Sequence, residues 1–263
     1  MKISAGNIQL NIEDHGSGQT ILLIHGFPLN IEMWRPQIGY LSALYRVIAI
    51  DLRGHGLTPP TPGPYSMELL ADDCAAALAV LGVHEPAVIC GLSMGGYISF
   101  ALYRRHPQLF SGLILAATRA GTDTNQARAN RDQAIAVAKK QGSQPLFENM
   151  LKVLLAPDTY QDKPELVDNV AEILSQTSED GVVAALEGMR DRADSTDLLE
   201  QIDVPTLILH GEADQIIPLS ESELMHNKIP NSILEIIPNA GHLPNMEQPE
   251  VFNQLTANFL ASL

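Results

Sequence analysis

Six short, largely apolar runs rich in β-branched residues recur along this 263-residue chain, at 21–24, 47–50, 87–90, 113–117, 206–209 and 233–237. Runs of this length, without polar alternation, are the mark of strands whose two faces are both covered, as in a parallel sheet sandwiched by helices. Between several of them lie stretches with apolar residues at three and four spacing. Residues 67–81 stop at Gly82, and residues 97–105 stop before Pro107, so both carry the punctuation of helix ends. Alternating strand and helix predicts an open, mostly parallel α/β sheet. The opening segment differs: residues 2–4 and 8–13 alternate around Gly6-Asn7, which predicts a hairpin at one sheet edge.

The alternation breaks after Arg119 and resumes near Val204. In between, 129–140, 146–155, 164–174 and 180–189 carry helical spacing, and no run reads as a strand. The economical organisation is a core made of 1–118 and 203–263, with 119–202 as a helical cap inserted between strands. In an open α/β sheet such an insertion lies over the carboxyl ends of the strands, where ligands bind.

Charge narrows the function. Sixteen Lys plus Arg against 31 Asp plus Glu give a net charge of −15, and phosphate-backbone binding needs a basic face that so few cations hardly build. The reading is therefore no nucleic acid and no membrane partner. No apolar run approaches the roughly 20 residues that cross a bilayer. Residues 1–10 show no cationic stretch followed by an apolar core, which makes the cytoplasm the default location. Two cysteines, Cys74 and Cys90, are too few for a disulfide scaffold or a four-ligand zinc site, and both read as buried small hydrophobes. No His and carboxylate cluster stands at metal-ligand spacing, so neither a metal nor an organic cofactor is expected. The sequence is silent on oligomeric state.

Gly91-Leu92-Ser93-Met94-Gly95-Gly96 follows the run 87–90 directly and precedes a helix. A bare Gly-x-Ser-x-Gly arises by chance about 0.1 times in a chain of this length, so the pattern alone says little. Its strand, turn, helix placement is what a nucleophile elbow requires, because glycines on both sides permit a turn tight enough to lift the serine hydroxyl above the sheet edge. A serine needs a neighbouring base, and the base needs an orienting acid. His242 follows the run 233–237 and Asp214 follows the run 206–209, both at the strand ends where Ser93 is presented. Asp51, after the run 47–50, is the runner-up acid. His25 and His55 read as hydrogen-bonded loop histidines, and His210 as packed. Arg119 reads as a solvated surface cation, with pairing to a substrate carboxylate as the second reading.

On these segments, together with His25-Gly26-Phe27-Pro28 and Asp51-Leu52-Arg53-Gly54-His55-Gly56, the chain resembles the α/β-hydrolase-fold serine hydrolases over nearly its whole length. Phe27-Pro28-Leu29 with Ser93-Met94-Gly95-Gly96 resembles small bacterial aryl esterases and the cofactor-free haloperoxidases, or perhydrolases. Met33-Trp34-Arg35-Pro36-Gln37 resembles 3-oxoadipate enol-lactonase. The resemblance implies Ser93, Asp214 and His242 as the catalytic residues and the backbone amides of Phe27 and Met94 as an oxyanion hole. It also implies a small ester or lactone as substrate and an acyl-enzyme intermediate. Serine at the elbow excludes the dehalogenases and epoxide hydrolases that carry Asp there. Phe27, Met94 and Trp34 are the expected pocket residues, for a largely apolar substrate, with Phe147, Met150, Leu151 and Met189 within reach from the cap. Three alternatives stay open: perhydrolysis, lactone or carbon-carbon bond hydrolysis, and a ligand sensor that keeps the triad without turnover.

Overall fold

The computed structural model describes every residue from Met1 to Leu263. Eight strands, β1 (Lys2–Ala5), β2 (Ile8–His15), β3 (Thr20–Ile24), β4 (Arg46–Ile50), β5 (Ala87–Leu92), β6 (Phe110–Ala116), β7 (Thr206–Gly211) and β8 (Ser232–Ile237), form one sheet in the order β1-β2-β4-β3-β5-β6-β7-β8. The β1-β2 hairpin turns at Gly6-Asn7 as expected, and β2 runs antiparallel to β4. From β4 onward every pairing is parallel.

Eleven helices complete the chain. They are α1 (Arg35–Leu41), α2 (Met67–Val80), α3 (Met94–Arg105), α4 (Asn125–Gln141), α5 (Gln144–Leu151), α6 (Thr159–Asp162), α7 (Pro164–Ser175), α8 (Glu179–Arg190), α9 (Leu219–Lys228), α10 (Pro244–Glu247) and α11 (Pro249–Leu260). Strands β3, β4, β5 and β6 are almost wholly buried, which is why they read as unbroken apolar runs. The last run behaves differently. β8 closes the sheet with one neighbour only, and Ile233 and Ile236 are 52% and 46% exposed. Glu235, the one charged residue among the six runs, lies in this edge strand.

Between β6 and β7 the chain forms only helices and connecting turns, α4 to α8. Three carboxyl-end loops of the sheet hold this insertion. The loop after β4 accepts a bond at Gly54 O from the Ser178 amide at 3.2 Å. The loop after β6 meets it through Asp123, which pairs with Arg119, Arg131 and Arg192. The loop after β8 donates the His242 amide to Leu154 O at 3.0 Å.

The closest approach is that of α8 to the segment before α2. Tyr65 donates its amide to Ala184 O at 2.9 Å, and a side chain at Gly188 would place its Cβ 1.6 Å from Tyr65 O. Gly188→Ala is therefore predicted to cost about 1–3 kcal/mol of stability, as overpacking of a buried contact does, and to lower Tm by roughly 2–10 °C for a domain of this size. Gly121→Ala, which meets nothing within 4 Å, is the control expected to leave the calorimetric Tm unmoved.

Candidate active site

Ser93 sits between β5 and α3 with φ 54° and ψ −112°, a backbone region that non-glycine residues rarely occupy. The neighbouring glycines explain how it is held there. A Cβ on Gly91 would lie 2.2 Å from Gly95 O, and a Cβ on Gly95 would lie 2.2 Å from Ile24 O. Bare backbone at both positions lets the first turn of α3 press against the end of β3. Ser93 is tied on its other side by Thr118, whose hydroxyl donates to Ser93 O at 2.8 Å. Its amide donates to Ala116 O at 2.9 Å.

His242 and Asp214 arrive from the loops after β8 and β7. Ser93 Oγ lies 2.9 Å from His242 Nε2, and His242 Nδ1 lies 2.9 Å from Asp214 Oδ2. A carboxylate on Nδ1 selects the tautomer that carries its proton there, which leaves Nε2 free to accept from the serine hydroxyl. The other Asp214 oxygen, Oδ1, accepts from the amides of Ile216 at 2.8 Å and Ile217 at 3.0 Å. Burial works to raise the Asp214 carboxyl. The charge and hydrogen bond of His242, with the two amides, outweigh it and hold the group below its ordinary value.

The loop after β3 is packed against the serine, since a Cβ on Gly26 would stand 3.3 Å from Ser93 Cβ. Its next residue, Phe27, makes no backbone amide bond. Met94 opens α3, where first-turn amides have no acceptor within the helix and carry the positive end of its dipole. Phe27 is half-buried and walls a cleft of about 420 Å³ together with Arg119, Arg131, Leu146, Met150 and Ile216. Ile216 is also an amide donor to Asp214, and Phe27 follows the Gly26 that packs on Ser93, so the cleft is lined by neighbours of the Ser93–His242–Asp214 chain and by none of its three residues.

Other expectations land elsewhere. Trp34 has no exposed surface and packs on Phe252 of α11, with ring centroids 6.1 Å apart. It does not wall the cleft, because the helical turn at Ile31–Trp34 directs its apolar side inward. Met94 has a side chain with no exposure, and Phe147 of α5 is buried within the helical segment. Asp51 does not approach His242. It accepts from the amides of Ile31 and Leu57 and from Asn11 Nδ2, and so stitches the loop after β4 to the loop after β3. Burial raises its carboxyl despite these donors. Arg119 is no solvated surface residue. Its guanidinium donates to the fully buried Asp123 carboxylate at 2.6 Å.

Glu247 carried no signal in the sequence, because two of its three partners, Ala156 and Thr159, are 91 and 88 residues away. At the end of α10 its carboxylate accepts from the amide of Gly241, beside His242, at 2.6 Å. It also accepts from the Ala156 amide and the Thr159 hydroxyl, each at 2.7 Å. One buried group thus fixes the histidine loop to the helical insertion. Gln215 adds to the joint by donating to Leu155 O at 3.3 Å.

Residues 19–249 match the family described as the alpha/beta hydrolase fold. The chain belongs to this family. The 3-oxoadipate enol-lactonase 2 of Acinetobacter baylyi is 32% identical over 253 residues, covering 95% of this chain and 92% of the relative. A pimeloyl-[acyl-carrier protein] methyl ester esterase of Neisseria meningitidis serogroup C is 31% identical, covering 91% and 93%. Among solved structures, a thermophilic esterase from Thermogutta terrifontis, in a malate-bound form, superposes with a TM-score of 0.96. It is 40% identical and covers 100% of this chain and 98% of its own.

Two buried histidines underpin the loop that carries Phe27. His25 Nδ1 donates to Gly26 O at 2.8 Å while Nε2 accepts from the Leu52 amide at 3.0 Å. The His55 ring lies 5.1 Å from that of His25 and edge-on to Phe27. Burial lowers His25 from 6.5 to about 4, and burial with the charge of His25 lowers His55 to about 3. Both rings stay neutral in the fold while the unfolded chain takes up protons near 6.5. Their contribution is complete above that pH and is lost as pH falls toward 4. Each adds a slope of about 1.4 kcal/mol per pH unit. His55→Asn is predicted to flatten the stability profile between pH 4.5 and 6 by about that slope, measured by denaturant unfolding.

Proposed function

We propose that the chain is a carboxylic-ester hydrolase in which Ser93 is the nucleophile, His242 the general base and acid, and Asp214 the orienting carboxylate. The observation that carries this reading is the unbroken hydrogen-bonded chain from Ser93 Oγ through His242 to Asp214, at 2.9 Å for each link. Kinship to an esterase at 40% identity and to an enol-lactonase at 32% supports the ester or lactone class.

The steps follow from the roles. Ser93 Oγ attacks the acyl carbon as its proton passes to His242 Nε2. The tetrahedral oxyanion is held by the amides of Phe27 and Met94, whose fixed dipoles stabilise charge that appears only in the transition state. His242 returns the proton to the departing alkoxide, which leaves as alcohol, and the acyl group stays on Ser93. Water then gives a proton to His242 and attacks the same carbon, and the collapse releases the acid and restores the serine. The insertion 119–202 serves as a cap over this edge of the sheet, and the acyl or alcohol chain runs past Phe27, Leu146, Met150 and Ile216.

The test is hydrolysis of a p-nitrophenyl ester series from acetate to decanoate. Ser93→Ala is predicted to lower kcat by about 10⁴-fold or more, and Asp214→Asn by about 10⁴-fold through the wrong imidazole tautomer. Equal turnover by wild type and Ser93→Ala would remove Ser93 from the chemistry. No turnover of any ester, with strong thermal stabilisation by one small ligand, would instead favour a sensor on this fold. A third substitution tests the joint beneath the histidine. Glu247→Gln leaves one oxygen where three donors converge, and it is predicted to lower kcat about tenfold or more while moving KM less, since a 1.4 kcal/mol loss in the transition state has that effect.

A further inference from the structure

Three consecutive residues of the insertion, Gln176, Thr177 and Ser178 between α7 and α8, all bond to loops at the carboxyl edge of the sheet. Gln176 Oε1 accepts from Asn30 Nδ2 at 2.9 Å, the Thr177 hydroxyl donates to Pro28 O at 2.6 Å, and the Ser178 hydroxyl donates to Gly54 O at 3.0 Å. The middle bond is the best protected of the three. Gln176 is exposed and Ser178 half-buried, whereas Thr177 and Pro28 are both buried.

Thr177 holds the turn that carries Phe27. The Leu29 amide donates to Gly26 O at 2.9 Å and closes the turn Gly26-Phe27-Pro28-Leu29, and His25 Nδ1 gives the same Gly26 oxygen a second bond at 2.8 Å. The peptide between Gly26 and Phe27 is thus held by its carbonyl alone, and its N–H makes no bond within the protein. Across the turn, the peptide between Pro28 and Leu29 is fixed at both ends, its N–H by Gly26 and its carbonyl by Thr177. Pro28 O takes no other bond. A buried carbonyl that loses its donor is costly, so without the Thr177 hydroxyl the turn has reason to shift. An oxyanion donor acts only when aimed at the place where charge develops, and a misplacement of about 1 Å near reacting atoms can cost on the order of 10²-fold in rate.

We propose that Thr177 is a positioning residue for the oxyanion site: through its hydroxyl on Pro28 O, the helical insertion sets the direction of the Phe27 amide. This rests on the reading of Phe27 as an oxyanion donor and adds the group that aims it. The insertion then supports the chemistry from two sides, with Thr177 on the loop after β3 and Ala156 and Thr159, through Glu247, on the histidine loop.

The experiment compares wild type with Thr177→Val, which keeps the shape without the hydroxyl, and Thr177→Ser, which keeps the hydroxyl. Each is assayed with the best p-nitrophenyl ester and with the trifluoromethyl ketone of matching chain length. Ser93 Oγ adds to the ketone carbon, its proton passes to His242, and the former carbonyl oxygen becomes the oxyanion. The inhibition constant therefore reads the oxyanion site, whereas KM reads mainly ground-state binding. Thr177→Val is predicted to lower kcat about tenfold and to weaken the ketone about tenfold, with KM moved less than about threefold. Thr177→Ser should keep both quantities within about twofold of wild type even if its Tm falls. Thr177→Ala carries the same expectation as Thr177→Val and replaces it if the valine variant does not fold. A folded hydroxyl-free variant with unchanged kcat and ketone affinity, whatever its Tm, overturns the proposal and leaves the hydrolase reading standing. Equal losses in Thr177→Ser and Thr177→Val overturn it too, because the hydroxyl is then not what matters. If wild type turns over no ester and binds no ketone, the hydrolase reading fails, and amide hydrogen exchange across residues 26–33 decides whether Thr177 sets this turn. Exchange about tenfold faster in Thr177→Val than in wild type supports it, and unchanged exchange overturns it.

Discussion

A serine held at φ 54° is the constraint on which the rest of the site depends. Such a backbone costs on the order of 1–3 kcal/mol and persists only where surrounding structure over-determines it. Here the determination comes from three directions: Ala116 and Thr118 at the end of β6, Gly91 against Gly95 within the turn, and Gly95 against Ile24 of β3. The same compression that lifts the hydroxyl also brings the amide end of α3 beside the loop carrying Phe27. The Ser93 hydroxyl and the amides of Phe27 and Met94 are thus brought to one place by a single close approach.

Buried carboxylates organise what surrounds that turn. Asp51 joins the loops after β3 and β4, Asp214 orients the histidine, Glu247 fastens the histidine loop to the insertion, and Asp123 gathers three arginines where the insertion leaves the sheet. In a chain of net charge −15, the arginines gathered on Asp123 produce a local excess of positive charge at the cleft.

Much of this was legible before any coordinates. The six apolar runs all became strands, and the pair Gly91 and Gly95 around Ser93 announced a turn because no other residue fits so little space. Asp214 and His242 were readable because loops at strand ends are where such an architecture collects its chemistry. Trp34 lies against α11, Arg119 is caged by Asp123, and Glu247 ties the histidine loop to α6, where the sequence predicts a pocket wall, a surface cation and nothing. Trp34 and Glu247 are decided by partners far away in sequence, 218 residues for Phe252 and 91 for Ala156, and Asp123, four residues from Arg119, is itself held by Arg192, 69 residues on. Periodicity and motif spacing are blind at that range. The edge exposure of β8 had one sequence signal, Glu235 in the middle of its run.

In the proposed mechanism Ser93 becomes covalently acylated because His242 takes its proton. The most direct measurement is intact-protein mass spectrometry after reaction with a p-nitrophenyl alkylphosphonate, followed by peptide mapping. One adduct per chain is expected, located on Ser93, at a rate reduced about 10³-fold or more in His242→Ala. A stable adduct on another residue, or labelling of Ser93 at an undiminished rate without His242, would contradict it.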